Sequence, residues 1–208
     1  MNSKRLKQTI GLFLRRGAGK RGAYLREKHI FAGVGDNVRF QPRLIPLYPE
    51  LIKLHNNIMI AAGVRLVTHD ASFTILNRLG RGKFPEKVGC IEIMDNVFIG
   101  YNCTVLPNVR IGSNVILGAS STVTKDLESG GVYAGCPAKR VGSFEEYVQK
   151  CAQNSGGGYS YPYEHNQNIS EAECNRAWCG HHSAPPLCCH FCSPGTTNLH
   201  PNIIAAMN

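Results

Sequence analysis

The stretch IMDNVF-IGYNCT-VLPNVR-IGSNVI-LGASST-VTKDLE, residues 93–128, divides into sixes without a gap. Its first column reads Ile93, Ile99, Val105, Ile111, Leu117 and Val123, and its fifth reads Val97, Cys103, Val109, Val115, Ser121 and Leu127. The fourth holds Asn96, Asn102, Asn108 and Asn114 before turning to Ser120 and Asp126. A period of six fits neither an α-helix nor a plain alternating strand. It suits a short strand followed by a tight turn, three times per triangular coil. Asn, Asp and Gly tolerate the left-handed backbone that such corners need. Coils would stack through parallel strands roughly 4.8 Å apart, and the two inward columns would become apolar ladders.

The same register appears earlier in VGDNVR and FQPRLI from Val34, and again in LHNNIM, IAAGVR and LVTHDA from Leu54. PLYPEL (46–51) does not fit, and its prolines predict an irregular corner. The repeats therefore run from about Val34 to Ser129, broken where ASFTILNRLGRGKFPEKVGC (71–90) leaves the pattern. This gives a basic helical segment over 1–32, a β-helix over 33–142 with its excursion at 71–90, and a short helix over 143–152. Ser143 is placed to cap that last helix, with Glu145 and Glu146 in its first turn, and the helix is expected to cover the open end of the coil. Residues 153–208, rich in Cys and His, are expected to form a poorly ordered tail.

A chain of 208 residues with 43% apolar content can hold one domain with a real core. No apolar run is long enough to cross a membrane, and the start lacks the pattern of a secretory leader, which points to the cytoplasm. The net charge of +9 concentrates at the N-terminus, where Lys4, Arg5, Lys7, Arg15, Arg16, Lys20, Arg21, Arg26 and Lys28 face Glu27 alone. Leu6, Ile10, Phe13 and Leu14 have helical spacing there. They suggest a helix packed on the main body with a solvated basic face, or a peripheral contact with an anionic membrane. No nucleic-acid motif accompanies the charge. With no leader to favour disulfides, Cys90, Cys103 and Cys136 read as buried thiols.

With its hexads, VTHD (67–70) before a long excursion and GVYAGCPAKRVG (131–142) after the last coil, the chain resembles the hexapeptide-repeat acyltransferases. Maltose, galactoside, serine and polysaccharide O-acetyltransferases are among them. The resemblance implies an all-β fold, a left-handed parallel β-helix of hexapeptide repeats with short N- and C-terminal helices, assembled as a homotrimer. General rules for parallel crossovers would give the opposite hand. It also implies that Ala134, Gly135, Pro137, Lys139 and Arg140 present a turn to acetyl-CoA. Glycine and alanine let backbone approach a pantetheine arm, while Lys139 and Arg140 can meet phosphate. Gly118 and Ala119, a small-residue corner on a late coil, are the matching positions for the same arm.

Transfer of an acyl group from a thioester to a hydroxyl needs a base, and imidazole suits the task near neutrality. His69 sits where the coil breaks into a loop able to wall a pocket, so it is the expected general base. Asp70 is a weaker candidate for orienting it or the substrate, since neighbours on an extended chain point to opposite faces. Direct transfer needs no acyl-enzyme, and Cys103 and Cys136 read as structural rather than nucleophilic. The cations and apolar residues of 71–90 suit a lid that docks on a neighbouring subunit.

The expected activity is acetyl-CoA-dependent O-acetylation of a sugar or polysaccharide precursor, with serine or an antibiotic as the alternative acceptor. A metal-dependent carbonic anhydrase on this fold would need three histidines, whereas the coils hold His55 and His69. A non-catalytic scaffold would leave His69 and Lys139 without a purpose. The tail set Cys174, Cys179, His181, His182, Cys188, Cys189, His190 and Cys192 has ligand types suited to zinc but no finger or ribbon spacing, so no metal is assigned.

Overall fold

The structure, a computed structural model, describes residues 3–153, 170–172 and 174. All described strands lie in the unit of residues 1–148. Helices α1 (Ser3–Leu14) and α2 (Ala18–Glu27) lead into strands β1 (Gly33–Val34) and β2 (Val38–Phe40). The next circuit holds β3 (Ile52–Leu54), β4 (Ile58–Ile60) and β5 (Arg65–Leu66). The excursion carries β6 (His69–Asp70), a short helix α3 (Phe73–Leu76) and β7 (Lys87–Val88). Two further circuits follow: β8 (Ile91–Ile93), β9 (Val97–Ile99) and β10 (Thr104–Val105), then β11 (Val109–Ile111), β12 (Val115–Leu117) and β13 (Thr122–Val123). Strands β14 (Gly131–Ala134) and β15 (Lys139–Ser143) and helix α4 (Phe144–Gln153) complete the order.

Strands β1, β3, β8 and β11 stack in parallel as one side, β2, β4, β9, β12 and β14 as a second, and β5, β10 and β13 as a third. The chain visits the sides in constant order, which makes a three-sided parallel coil. Val109 pairs with Ile91, Val115 with Val97 and Thr122 with Thr104, so one coil is 18 residues, three hexads. Val34 pairs instead with Leu54, a step of 20, because the Pro-rich corner adds two residues.

The sixth hexad departs from its expected place. Ile111 pairs with Leu127, a step of 16, so Leu127 stacks on the first column rather than the fifth. The corner there is two residues tighter, and Asp126 is absent from the left-handed positions that Asn96, Asn102, Asn108, Asn114 and Ser120 all occupy at φ 57–59°. Asparagine tolerates that conformation better than other chiral residues. The amides also join across coils: Asn37 donates to Asn57 at 2.7 Å, Asn57 to Asn96 at 2.8 Å and Asn96 to Asn114 at 2.9 Å. One column thus supplies both the turns and a ladder between them.

Alternation along each short strand sends one set of side chains inside. Ile91, Ile93, Ile99, Val105, Ile111, Leu117 and Val123 are fully buried, each contributing about 1.5–3 kcal/mol relative to exposure. Helix α2 packs on β2 at the first coil, so closely that a Cβ on Gly22 would stand 1.9 Å from the Val38 carbonyl oxygen. Leu12, Tyr24 and Leu25 are the buried anchors of the two helices. The expected apolar set of α1 is not what packs: Leu6, Ile10, Phe13 and Leu14 are 44–68% exposed, whereas Leu12 is fully buried.

Ser143 caps α4 as expected, accepting from the Glu146 amide at 3.1 Å while its own amide donates to the Glu146 carboxylate at 3.3 Å. Yet α4 buries none of its side chains. It is the antiparallel strand β15 that finishes the second side, by pairing with β14. Cys103 is the one of the three coil cysteines that is buried; Cys90 and Cys136 are exposed, because one precedes a strand and the other lies in the turn after β14. No helix among the described residues is long and apolar enough to cross a membrane.

Candidate active site

His69 leaves the third side of the coil at the base of the excursion. There β6 pairs antiparallel with β7, His69 opposite Val88 and Asp70 opposite Lys87. The base is tied further by the Gly89 amide, which donates to the Thr68 carbonyl at 2.9 Å. Thr68 is fully buried, and its hydroxyl donates to the carbonyl of Leu47. That bond fastens the irregular Pro-rich corner against the break in the coil. Farther out, the Asn77 side chain clamps the loop by donating to the Phe84 carbonyl at 2.9 Å and accepting its amide at 2.8 Å.

The corner brings Tyr48 onto His69, edge to face, with ring centroids 6.0 Å apart. The Tyr48 hydroxyl donates to Glu86 at 2.8 Å, and this bond to a carboxylate, with some desolvation, raises the phenol above its ordinary pKa. The Nδ1 atom of His69 is buried and has no hydrogen-bond partner among the described residues. His69 also lines a cavity of about 740 Å³ together with Arg5, Arg43, Leu47, Arg65 and Asn102. Arg5 comes from α1, Arg43 and Leu47 from the first coil, Arg65 from the second and Asn102 from the third. The sequence pattern pointed to His69 and missed these walls.

Asp70 makes no hydrogen bond to His69 among the described residues. Its carboxylate accepts from the Ser72 amide at 2.8 Å and the Ser72 hydroxyl at 3.0 Å. These bonds, then the charges of Lys87 and His69, hold it below the usual aspartate range. Two residues suffice for such a local turn, so the side chain is already engaged. His55 is engaged as well, 2.8 Å from Glu92 on the first side.

The turn after β14 takes the place of a further strand on the third side. The Thr122 amide donates to the Gly135 carbonyl at 3.0 Å, and the Ala138 amide donates to the Thr122 carbonyl at 2.8 Å. Gly135 has φ of +99°, a conformation glycine adopts freely, and its amide donates to the Ser121 hydroxyl at 3.1 Å. Gly135, Cys136, Pro137 and Lys139 are exposed, whereas Ala134 is half-buried in β14. The turn therefore stacks beyond β13 on the third side, about three strand spacings or roughly 14 Å from Arg65 of β5, and His69 follows four residues after Arg65 where the chain leaves that side.

Several residues in the expected donor set are engaged elsewhere. The Gly118 amide donates to the Tyr133 carbonyl at 2.8 Å, and the Gly118 carbonyl accepts from the Ser121 hydroxyl at 2.7 Å. Arg140 donates to the Gly130 and Gly142 carbonyls at 3.1 and 3.3 Å. Ala119 stays exposed at its corner, where Gly100 of the preceding coil makes room: a Cβ there would stand 2.6 Å from the Ala119 nitrogen. Cys103 makes a poor nucleophile, since burial pushes its thiol up and its sulfur lies 3.1 Å from the Gly118 carbonyl. Among the described residues no group of three His, Cys, Asp or Glu could hold a metal ion, and the Cys/His-rich tail, Cys174 apart, lies outside them.

Residues 91–125 match the bacterial transferase hexapeptide family, six repeats. Protein CapG of Staphylococcus aureus is 42% identical over 109 residues, which is 51% of this chain and 61% of CapG. The chain thus spans less than two thirds of the curated relatives it matches. Among solved structures, a hexapeptide-repeat acetyltransferase of Vibrio cholerae complexed with acetyl-coenzyme A superposes with a TM-score of 0.52 at 20% identity, covering 68% of this chain and 86% of that one. A galactoside acetyltransferase in complex with coenzyme A gives 0.51 at 22% identity, covering 80% and 88%. At these identities the two structures speak for a shared fold. The chain carries the transferase hexapeptide repeat and has the fold of the hexapeptide-repeat acetyltransferases, the family it resembles.

Proposed function

We propose that the protein transfers an acetyl group from acetyl-CoA to a hydroxyl of a sugar or polysaccharide precursor, with His69 as general base. The observation that carries this reading is that His69 lines a cavity of about 740 Å³ where the chain leaves the side of the coil that also carries the exposed residues Gly135, Cys136 and Pro137. Acetyl-CoA supplies the activated acyl group as a thioester. The exposed Gly135–Pro137 backbone and the free ammonium of Lys139 fit the donor arm, with Ala119 beside them, whereas Gly118 and Arg140 serve the scaffold. His69 takes the hydroxyl proton as oxygen attacks the acyl carbon, then returns it to the departing sulfur, so that the products are an ester and a thiol.

The orphaned Nδ1 supports the same reading, because a buried unpaired ring nitrogen costs about 1–3 kcal/mol and calls for a partner from a ligand or a second chain. A left-handed coil, a homotrimer whose groove is walled by the 71–90 loop, and a cytoplasmic setting belong to this proposal. Exposed Ile75, Leu79, Phe84 and Val88 on the loop offer the apolar surface for the neighbouring subunit. The exposed apolar face of α1, flanked by Lys4 and Lys7, is the surface for a peripheral membrane contact.

Free thiol release from acetyl-CoA over a panel of sugars, serine and antibiotics tests the activity. His69→Ala should lower kcat by about 10²–10⁴-fold. Undiminished turnover in that variant would defeat the role given to His69.

A further inference from the structure

Three arginines converge on the cavity beside His69, and among the described residues no Asp or Glu lines it. None of them forms an ion pair among the described residues, where the ion pairs are Arg26 with Asp36 and the Glu92 cluster of Lys53, His55 and Arg110. A guanidinium carries five N–H donors. Arg5 gives two to the Ile45 carbonyl, at 3.0 and 3.3 Å, and Arg43 gives one to the Phe13 carbonyl at 3.3 Å while lying 5.0 Å from the Phe13 ring centre. Arg65 lies exposed at the cavity wall, with no hydrogen bond from its side chain among the described residues. The backbone and an aromatic ring thus hold two of the guanidinium groups in place while most of their donors remain available.

The positive field reaches beyond the cavity wall. Buried Arg21 is satisfied by carbonyls alone, at 2.8 Å from Phe40 O and 2.9 Å from Arg15 O. Burial and then the charge of Arg43 depress its pKa. Such crowding without a carboxylate is unfavourable in the free protein and is relieved by an anion. Arginine is suited to bind phosphate through paired N–H donors.

We propose that this cavity binds an acceptor carrying a phosphate or diphosphate, its hydroxyl presented to His69 and its anionic group held by Arg65 and Arg43, with Arg5 completing the wall. The proposal rests on the acyl-transfer reading above and narrows its acceptor to a phosphorylated saccharide. The donor also carries phosphates, but the cation that follows the donor turn, Lys139, begins β15 and pairs with Ala134 on the second side of the coil, whereas Arg65 lies in β5 on the third side, with β10 and β13 between it and that turn. Cations on two different sides of the coil suit two separate anions.

Calorimetric titration of the full chain, with and without saturating coenzyme A, compares N-acetylglucosamine with N-acetylglucosamine 1-phosphate, and inorganic phosphate serves as a charge-only probe. The sugar phosphate is expected to bind at least about tenfold more tightly than the neutral sugar, and added salt should weaken that preference. Arg65→Ala should remove most of the preference, and Arg65→Lys should retain part of it. Arg110→Gln, on another side of the coil, controls for loss of one charge. Since the Arg65 side chain makes no hydrogen bond or ion pair among the described residues, an unchanged melting temperature and coenzyme A affinity in Arg65→Ala will show that the fold is intact.

Equal affinity for the two sugars, or no binding of the sugar phosphate, overturns the proposal. So does an Arg65→Ala variant that loses coenzyme A affinity and keeps the sugar-phosphate preference, which would assign the arginines to the donor. If coenzyme A binding and acyl transfer are both absent while the phosphate preference persists, the acyl-transfer reading fails and the anion site stands.

Discussion

Tyr48 meets His69 edge to face at 6.0 Å, and the same phenol donates to Glu86 at 2.8 Å. The ring comes from the two-residue insertion in the first coil, and the carboxylate comes from the returning end of the excursion. Two irregularities in the repeat are thereby joined across the candidate base. Tyr48 is a positioning residue, and Tyr48→Phe should keep the ring contact while losing a bond worth about 1 kcal/mol. We expect kcat to fall about fivefold with the KM for acetyl-CoA almost unchanged. Tyr48→Ala should cost more, because the ring contact goes too. A rise in KM with kcat unchanged would show that Tyr48 serves donor binding instead.

Thr68 gives a separate handle on the same corner. Its buried hydroxyl donates to the Leu47 carbonyl, so Thr68→Val keeps the shape and leaves that acceptor unpaired. The cost should be about 1–3 kcal/mol. Urea denaturation of wild type and variant checks it, and a difference below about 0.5 kcal/mol would mean that water satisfies Leu47.

The coil was legible because its constraint is periodic: apolar residues in two columns and asparagines at corners leave a mark every six residues. The site was legible at its break, where His69 stands. Arg5 and Arg43 were not, since one was hidden in a uniformly basic stretch and the other in a hexad whose position there says nothing about a cavity. Arg43 stands on the first coil, and the docking of α1 there brings Arg5 to the same cavity beside His69. Leu127 shows a related limit, because VTKDLE has six residues with apolar ones at the usual slots, yet the corner tightens by two. For Asp70, adjacency to His69 said nothing of contact, and its carboxylate is bonded to Ser72, two residues on.

Asn96 tests the dual role of the corner column. It holds φ of +59°, accepts from Asn57 at 2.8 Å and donates to Asn114 at 2.9 Å. Asn96→Ala removes both amide bonds and places an ordinary side chain in the left-handed region, at about 1–2 kcal/mol for the backbone alone. Asn96→Gly removes the bonds but relieves the backbone. Glycine should therefore be the milder change in thermal unfolding. An alanine variant as stable as the glycine one would place the importance of Asn96 wholly in the ladder.

Glu92 should make stability depend on pH from a different side of the coil. Its carboxylate accepts from His55 at 2.8 Å and lies 3.6 Å from Lys53 and 3.7 Å from Arg110. The His55 bond first, then the neighbouring positive charges, hold its pKa below the usual glutamate range. A carboxylate depressed in the folded state binds fewer protons there than in the unfolded chain, whose value is near 4.3. Its contribution is therefore fully present above that unfolded value and fades as pH falls through the lower folded one. Glu92→Gln should be less stable than wild type at neutral pH, and the gap should close in acid, where both chains carry a neutral group. The group is about one third exposed, so added salt should also narrow the gap at neutral pH. Equilibrium denaturation at neutral and acidic pH reads the difference, and a gap that stayed constant across that range would show that Glu92 acts through packing and not through its charge.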